Sequence, residues 1–158
     1  MNRYNVATFL MAVFFSCLLC ITGKAQNCEV ITRAQLKERL EQMGFEVKTI
    51  NDKPGEEKYA VNHPGSGFNV PVGYELSPST NFIWLTVNLG IADTTNTTKS
   101  MRLMKENANI QPSFFYITAK ANLMTAVGLE NRGVTTAILR RHIDKLVADV
   151  SKTAPIWQ

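Results

Sequence analysis

The side chains able to do chemistry in this sequence are few, and they form no recognisable cluster. His63 lies in a turn sequence, Asn-His-Pro-Gly, and His142 lies beside the apolar stripe of a helix predicted near the end of the chain. A zinc site needs three or four His, Cys, Asp or Glu ligands at suitable spacing, and no such spacing occurs in the sequence. We therefore predict no metal site and no cofactor, and we interpret both histidines as ordinary surface or boundary residues.

Nucleophilic catalysis has little support in the sequence. Cys28 has no histidine nearby in the sequence and no cysteine-protease signature around it. The segment 65–67, Gly-Ser-Gly, is too short for a phosphate loop and does not match the serine elbow of hydrolases. We therefore predict no catalytic residue. A hydrolase that uses Cys28 or His63 is the least favoured alternative.

The charge of the chain argues against a nucleic-acid partner. The 158 residues include 17 basic and 13 acidic side chains, which gives a formal charge of +4. Removal of a leader that contains Arg3 and Lys24 lowers the basic residues to 15 and the charge to +2, a balance too even for nucleic-acid binding. Arg132, Arg140 and Arg141 could bind an anion, but the acids paired with them along the sequence indicate a solvated helix face.

The first 25 residues have the organisation of a secretory signal peptide. Arg3 precedes the uncharged run 6–22, and the small-x-small segment 23–25 fits a cleavage site. We predict a signal peptide over 1–25 and a single domain over 26–158, exported to the periplasm or the extracellular space. An uncleaved leader that anchors the chain in a membrane is the alternative. No later run is apolar over a spanning length, so no membrane span is expected after cleavage.

Apolar spacing predicts three amphipathic helices. The first begins with a capping box of Thr32 and Gln35. The second ends near Asn107, whose amide lies within an apolar stripe and is expected to bond to neighbouring backbone. The last begins at Thr135 and carries apolar residues over about four turns. Pro155 is expected to end the regular structure.

Alternating apolar residues predict the strands of an antiparallel sheet. The predicted strands are 45–50, 58–61, 81–90, 114–118 and 123–129. The segment 62–80 holds three of the six prolines, and we interpret it as a long loop that contains at most an edge strand. Strands grouped between helices predict the α+β class, with helices packed on one face of the sheet in the order α-β-β-β-α-β-β-α.

Three stretches of the sequence are typical of one family. They are Thr32-Arg33-Ala34-Gln35-Leu36-Lys37 with Leu40 and Met43-Gly44-Phe45, then Leu103-Met104-Lys105-Glu106-Asn107-Ala108, and finally Phe114-Phe115 with 123–129 and the closing helix. On these residues the chain resembles the YbjN and type III secretion chaperone-like group of small bacterial proteins. The resemblance implies an α-β-β-β-α-β-β-α sandwich, often dimeric, that acts as a binding module without catalysis.

One face of the predicted sheet is unusually rich in aromatic side chains. If the aliphatic residues of 81–90 face the helices, Phe82 and Trp84 point to the opposite side. Each aromatic side chain can bury about 150–250 Å², so three form a patch of roughly 450–750 Å², the size that marks interaction sites. The candidate partner-binding residues are Phe82, Trp84, Phe114 and Tyr116, with Phe115 and Ile117 as the alternative to the second pair.

We predict from this face an exported, non-catalytic module, chaperone-like or regulatory, that binds a second copy of itself or another protein or peptide. Two alternatives remain open. The segment 62–80 or the residues 155–157 could fold over the face and bury it within the same chain. The protein could instead be a small-ligand-binding module of the cell envelope that uses a pocket between the sheet and the helices.

Overall fold

The computed structural model describes residues 29–93 and 95–158, which form one antiparallel sheet with helices on one of its faces. The elements are α1 (Arg33–Gln42), β1 (Lys48–Asn51), β2 (Lys58–Pro64), β3 (Asn69–Leu76), β4 (Phe82–Ile91), α2 (Thr97–Glu106), β5 (Phe114–Ile117), β6 (Asn122–Glu130) and α3 (Thr136–Trp157). The sheet order is β1-β2-β3-β4-β6-β5. This arrangement confirms the predicted α+β class and the order of helices and strands, with one further strand before α2.

The main core lies between the sheet and the helices α1 and α3. Alternate residues of each strand face this core, as the period of two in a β-strand requires. A smaller cluster joins α2 to the sheet through Leu103, Phe115 and Leu123. The buried core residues include Tyr59, Val61, Val70, Val72, Tyr74, Leu76, Ile83, Leu85, Val87, Val127 and Leu129 from the sheet, and Leu36, Leu40, Leu139, Ile143, Leu146 and Val150 from the helices.

The start of α1 is held by the predicted capping box. The Thr32 hydroxyl accepts a hydrogen bond from the Gln35 backbone N–H at 3.2 Å, and the Gln35 side-chain oxygen accepts one from the Thr32 N–H at 2.8 Å. The buried amide of Asn131 then ties this end to the sheet. Its Oδ1 accepts from the Ile31 N–H at 3.1 Å, and its Nδ2 donates to the carbonyls of Ile31 and Thr80 at 2.9 and 2.8 Å.

The segment 62–80 is not a long loop with an edge strand, and that prediction is wrong. Strand β2 extends to Pro64, and β3 fills the sheet between β2 and β4. The prolines suggested a loop because proline cannot donate to a ladder. Pro71 is tolerated because it pairs with Asn62 of β2 but lies beyond the ladder of β3 with β4, which covers 73–76.

Helix α3 runs through Pro155 to Trp157, so the prediction that Pro155 ends the regular structure is wrong. Proline has no backbone N–H, so α3 lacks one backbone hydrogen bond at Pro155, and side-chain contacts of the last turn compensate for it. The Trp157 indole N–H donates to the Val150 carbonyl at 3.0 Å, and its ring packs edge-on against Phe68 with centroids 5.8 Å apart. The end of α3 is therefore fixed to the β2–β3 turn, on the same side of the sheet as the other helices.

Asn107 closes the outer edge of the sheet at β5. Its Oδ1 accepts from the Phe115 backbone N–H at 2.6 Å, and its Nδ2 donates to the Phe115 carbonyl at 3.2 Å. This confirms the prediction that Asn107 bonds to neighbouring backbone. Because β5 pairs with β6 on its other side, the amide takes the place of a neighbouring strand at this residue.

The predicted signal peptide over 1–25 and Cys28 lie outside the described residues. Within residues 29–93 and 95–158, no helix is both long enough and apolar enough to cross a membrane.

Replacement of Asn107 tests the edge closure. Asn107→Leu leaves two backbone groups of Phe115 without partners, and we expect it to lower the free energy of unfolding by about 2 kcal/mol. Asn109→Leu is the matched control, because the Asn109 side chain is exposed and should change stability by less than about 0.5 kcal/mol. Urea denaturation followed by circular dichroism measures both. Equal losses in the two variants would contradict the role assigned to Asn107.

Candidate functional site

The structure brings the four predicted partner-binding residues together on the face of the sheet opposite the helices. Phe82, Trp84, Phe114 and Tyr116 form a continuous row, which we call the aromatic row. Successive ring centroids are 6.3, 6.3 and 5.8 Å apart. Phe82 is 45% exposed, and the other three are half-buried against one another. Phe115, from the alternative pair, faces the helices and belongs to the small core cluster.

The row forms because β6 lies between β4 and β5 and carries small residues on this face. Trp84 is in register with Gly128, and Phe114 is in register with Ala126. A Cβ at Gly128 would lie 2.9 Å from Cζ3 of Trp84, so the indole lies against the bare backbone of β6. Trp84 and Phe114 can therefore meet across a whole strand, in an edge-to-face pair at an interplanar angle of 83°.

Neither of the chain segments considered as a cover folds over the aromatic row as a whole. Strands β2 and β3 take up most of the segment 62–80, and its residues Ser77 and Pro78 line a cleft of about 400 Å³ that reaches Trp84. Trp157 packs on the helix side against Phe68. Helices α1, α2 and α3 also pack on the helix side, through the two core clusters. Within the part of the chain that the structure describes, the aromatic row is thus an open surface.

Polar groups border one side of the aromatic row. Lys58 and Glu75 form an ion pair on neighbouring strands of the same face. A shallow depression of about 320 Å³ lies between Glu75, Trp84 and Tyr116. Burial raises the pKa of the Tyr116 phenol, and the Glu75 carboxylate raises it further while Lys58 opposes them. The Tyr116 hydroxyl is therefore a neutral hydrogen-bond donor at the rim of the apolar surface.

His63 is buried, which corrects its interpretation as a surface or boundary residue. It is only 4% exposed because it lies on the core-facing side of β2. Its Nε2 pairs with the Tyr74 hydroxyl at 2.6 Å, and its ring meets Phe45 edge-on with centroids 4.6 Å apart. Burial lowers the pKa of His63, Arg140 lowers it further, and Asp144 partly opposes the shift. The ring is therefore neutral at pH 7.

A second concave site lies beside His63, between the β2–β3 turn and α3. This cavity of about 520 Å³ has walls that include Phe45, Arg140, Asp144 and Ser151. It lies between the sheet and a helix, where the small-ligand alternative expects a pocket. Arg140 and Asp144 form a pair at 3.1 Å, as their spacing predicts. A second pair at the same spacing, Lys145 with Asp149, is less exposed, because Asp149 is buried and Lys145 also donates to the Ile110 carbonyl at 2.9 Å.

The structure does not assemble the other residues considered for chemistry into one site. His142 binds the Ile138 carbonyl through Nδ1 at 2.8 Å, on the flank of α3. Among residues 29–93 and 95–158, no three His, Cys, Asp or Glu side chains stand close enough to hold a metal ion. The contact between Tyr74 and His63 was not predicted, because Tyr74 lies in the segment 62–80 that we interpreted as a loop. The alternation of apolar residues over 68–76 is the pattern that indicates a strand there.

Comparisons with known proteins agree with this architecture. No protein-family model matches the chain, and no curated protein matches it. Among solved structures, the crystal structure of YbjN from E. coli, a proposed transcription regulator, superimposes with a TM-score of 0.58. The match covers 80% of this chain and 96% of that chain, at 13% sequence identity. The chain has a YbjN-like fold. This confirms the fold implied by the family resemblance, and at this identity the likeness concerns the fold alone.

The buried neutral state of His63 predicts a loss of stability in mild acid. The unfolded chain takes up a proton on this residue near pH 6.5, but the folded chain does so only at lower pH. Stability therefore falls as the pH drops below about 6.5, until the folded-state pKa is passed. We expect His63→Gln, which keeps an acceptor for Tyr74, to flatten this part of the profile.

Thermal unfolding between pH 5 and pH 8 measures the effect. His142→Gln is the matched control, since it removes the other histidine and leaves the His63–Tyr74 pair in place. The interpretation fails if His63→Gln and the wild type lose stability equally between pH 7 and pH 5.

Proposed function

We propose that this chain is a non-catalytic binding module that contacts another polypeptide through the aromatic row. The observation that carries the proposal is the row itself, four adjacent aromatic side chains on a sheet face that no described segment covers. Isolated exposed apolar residues are normal on protein surfaces, but a contiguous patch with polar groups at its rim is characteristic of interaction sites.

The composition of the row suits protein recognition. Tryptophan and tyrosine are the residues most enriched among those that dominate binding energy, because they are large, rigid and amphipathic. Trp84 lies at the centre, and Phe114 and Gly128 hold its indole in place before any partner arrives. Such preorganisation lowers the entropy cost of association.

A second copy of the chain is the first occupant to test, and a peptide or another protein is the second. Part of each aromatic ring is buried against its neighbours. The exposed apolar area of the row is therefore smaller than the summed area of four separate aromatic side chains. A stable homodimer normally buries about 800 Å² on each partner, so its interface must extend past the row to its surroundings. The same surface suits a short extended peptide without such an extension.

Export from the cytoplasm is also part of the proposal. The charge and apolar pattern of residues 1–25 is the basis for export to the periplasm or the extracellular space, with an uncleaved membrane anchor as the alternative. The partner is then another exported chain. YbjN is described as a proposed transcription regulator; for the present chain, the near-balanced charge favours a regulatory or chaperone-like role through protein contacts over direct contact with nucleic acid.

Trp84→Glu tests the proposed surface. A charge at the centre of the row should weaken partner binding about thirtyfold or more, as expected for a central tryptophan. Ile50→Glu is the matched control, because Ile50 is 65% exposed but lies on the edge strand β1, three strands away from Trp84 on β4. Light scattering at increasing concentration gives the mass of each protein. A dimer that is lost in Trp84→Glu and kept in Ile50→Glu supports a second copy as the occupant.

If the wild-type protein is monomeric, peptide binding is tested instead. A displayed peptide library is selected on the wild type and then compared on the two variants. Sequences that lose binding to Trp84→Glu and keep it to Ile50→Glu support the proposal. A wild type that neither dimerises nor selects any such sequence contradicts it.

Gly128→Ala gives an independent test that introduces no charge. The added Cβ must displace the indole of Trp84, and an alanine fits the backbone of β6 because Gly128 does not have a positive φ. We expect the variant to fold and to bind the same partner more weakly than the wild type. Unchanged affinity would show that the position of the indole does not matter.

A further inference from the structure

We propose that the cavity between the β2–β3 turn and α3 binds a small carboxylic acid with a short hydrocarbon body. This inference is independent of the aromatic row, which lies on the other side of the sheet. The cavity volume of about 520 Å³ lies within the range of about 300–1,000 Å³ that is usual for small-ligand sites.

The buried histidine offers the first hydrogen-bond donor. Tyr74 is 1% exposed, and within the described residues His63 Nε2 is the one hydrogen-bond partner of its hydroxyl. Burial keeps the phenol protonated, because it raises the pKa of Tyr74. A buried hydroxyl that did not donate to Nε2 would leave its proton unsatisfied, so Nε2 is the acceptor. In the neutral ring the proton must then be on Nδ1.

Within the described part of the chain, the hydrogen bond of this ring is made by Nε2. The Nδ1–H group therefore has no acceptor there. His63 is also a lining residue of the cavity. His63 Nδ1 is not among the fully buried side-chain atoms without a partner in the described residues, so a water or a ligand oxygen can reach it. A carboxylate oxygen in the cavity would serve as this acceptor.

Arg140 supplies the positive charge. Its guanidinium lies over the Phe45 ring, 5.2 Å from the centroid, and its Nε donates to both carboxylate oxygens of Asp144 at 3.1 and 3.3 Å. These two contacts orient the group, whose side chain is 50% exposed, and leave its Nη1 and Nη2 atoms free of hydrogen bonds to described residues and accessible to solvent or a ligand. A guanidinium fork held in this way matches the two oxygens of a carboxylate.

The remaining lining residues determine which hydrocarbon part of the ligand fits the cavity. Phe45, Val147 and Ala148 are apolar, whereas the polar lining is confined to His63, Arg140, Asp144 and the two serines Ser66 and Ser151. The turn is fixed against α3, because the Ser66 N–H donates to Ser151 Oγ at 3.3 Å and a Cβ at Gly65 would lie 2.8 Å from that oxygen. A short alkyl chain attached to the carboxylate fits this division between apolar and polar walls.

Titration of the ¹⁵N-labelled chain with butyrate at constant pH and ionic strength tests the site, with the His63 ring nitrogens as the reporter. Butyramide, which has the same shape without the charge, and inorganic phosphate, which has the charge without the alkyl body, are the comparison probes. We expect a saturable shift of the His63 Nδ1 signal with butyrate, and at least about tenfold weaker binding of both comparison probes.

Arg140→Gln should weaken butyrate binding by about tenfold or more, because it removes the charge that pairs with the carboxylate. Arg141→Gln is the matched control, since Arg141 is exposed like Arg140 and adjacent to it on α3 but is not part of the cavity wall. It should bind butyrate as the wild type does. Equal binding by the two variants, or butyramide binding as tight as that of butyrate, would overturn the carboxylate assignment. Phosphate binding as tight as that of butyrate would overturn the assignment of the alkyl body, and the absence of a saturable shift would overturn the site.

Discussion

The alternation of side chains along each strand, kept in phase by the antiparallel ladders, is the constraint on which the rest of the structure depends. Leu85 pairs with Val127 and points to the helices, whereas the next pair, Trp84 with Gly128, points away from them. A slip of one residue in this ladder would bury the indole and expose the leucine. The helix-covered core is what makes such a slip costly, and in this way it also keeps the aromatic row on the open face.

The parts of this arrangement that depend on local sequence were predictable. The capping box of Thr32 and Gln35 and the alternation in β4 are properties of a few consecutive residues, and both are present in the structure. The role of Asn107 was predictable for a similar reason: an amide in an apolar stripe must bond to something close. These signals were enough to give the fold class and to choose the side of the sheet on which Phe82 and Trp84 lie.

The parts that depend on contacts between distant segments were not predictable. Pro71 resembled a loop residue because nothing in its own sequence shows that the neighbouring ladder stops before it. Pro155 resembled a helix end because the contacts of Trp157 with Val150 and Phe68 arise only when α3 packs on the sheet. His63 resembled a turn residue because its partner Tyr74 belongs to the strand that the prolines concealed. In each case a tertiary contact outweighed a local preference.

The position of β6 between β4 and β5 has a consequence for how the chain matures. Strands β5 and β6 are close in sequence and can pair early, but β4 joins β6 only after the chain has closed a loop that contains α2 and β5. Before that step, Trp84 and Phe114 belong to separate fragments and share no surface. A partner polypeptide that must contact both rings would therefore bind only molecules whose sheet is complete, and not nascent or half-folded ones.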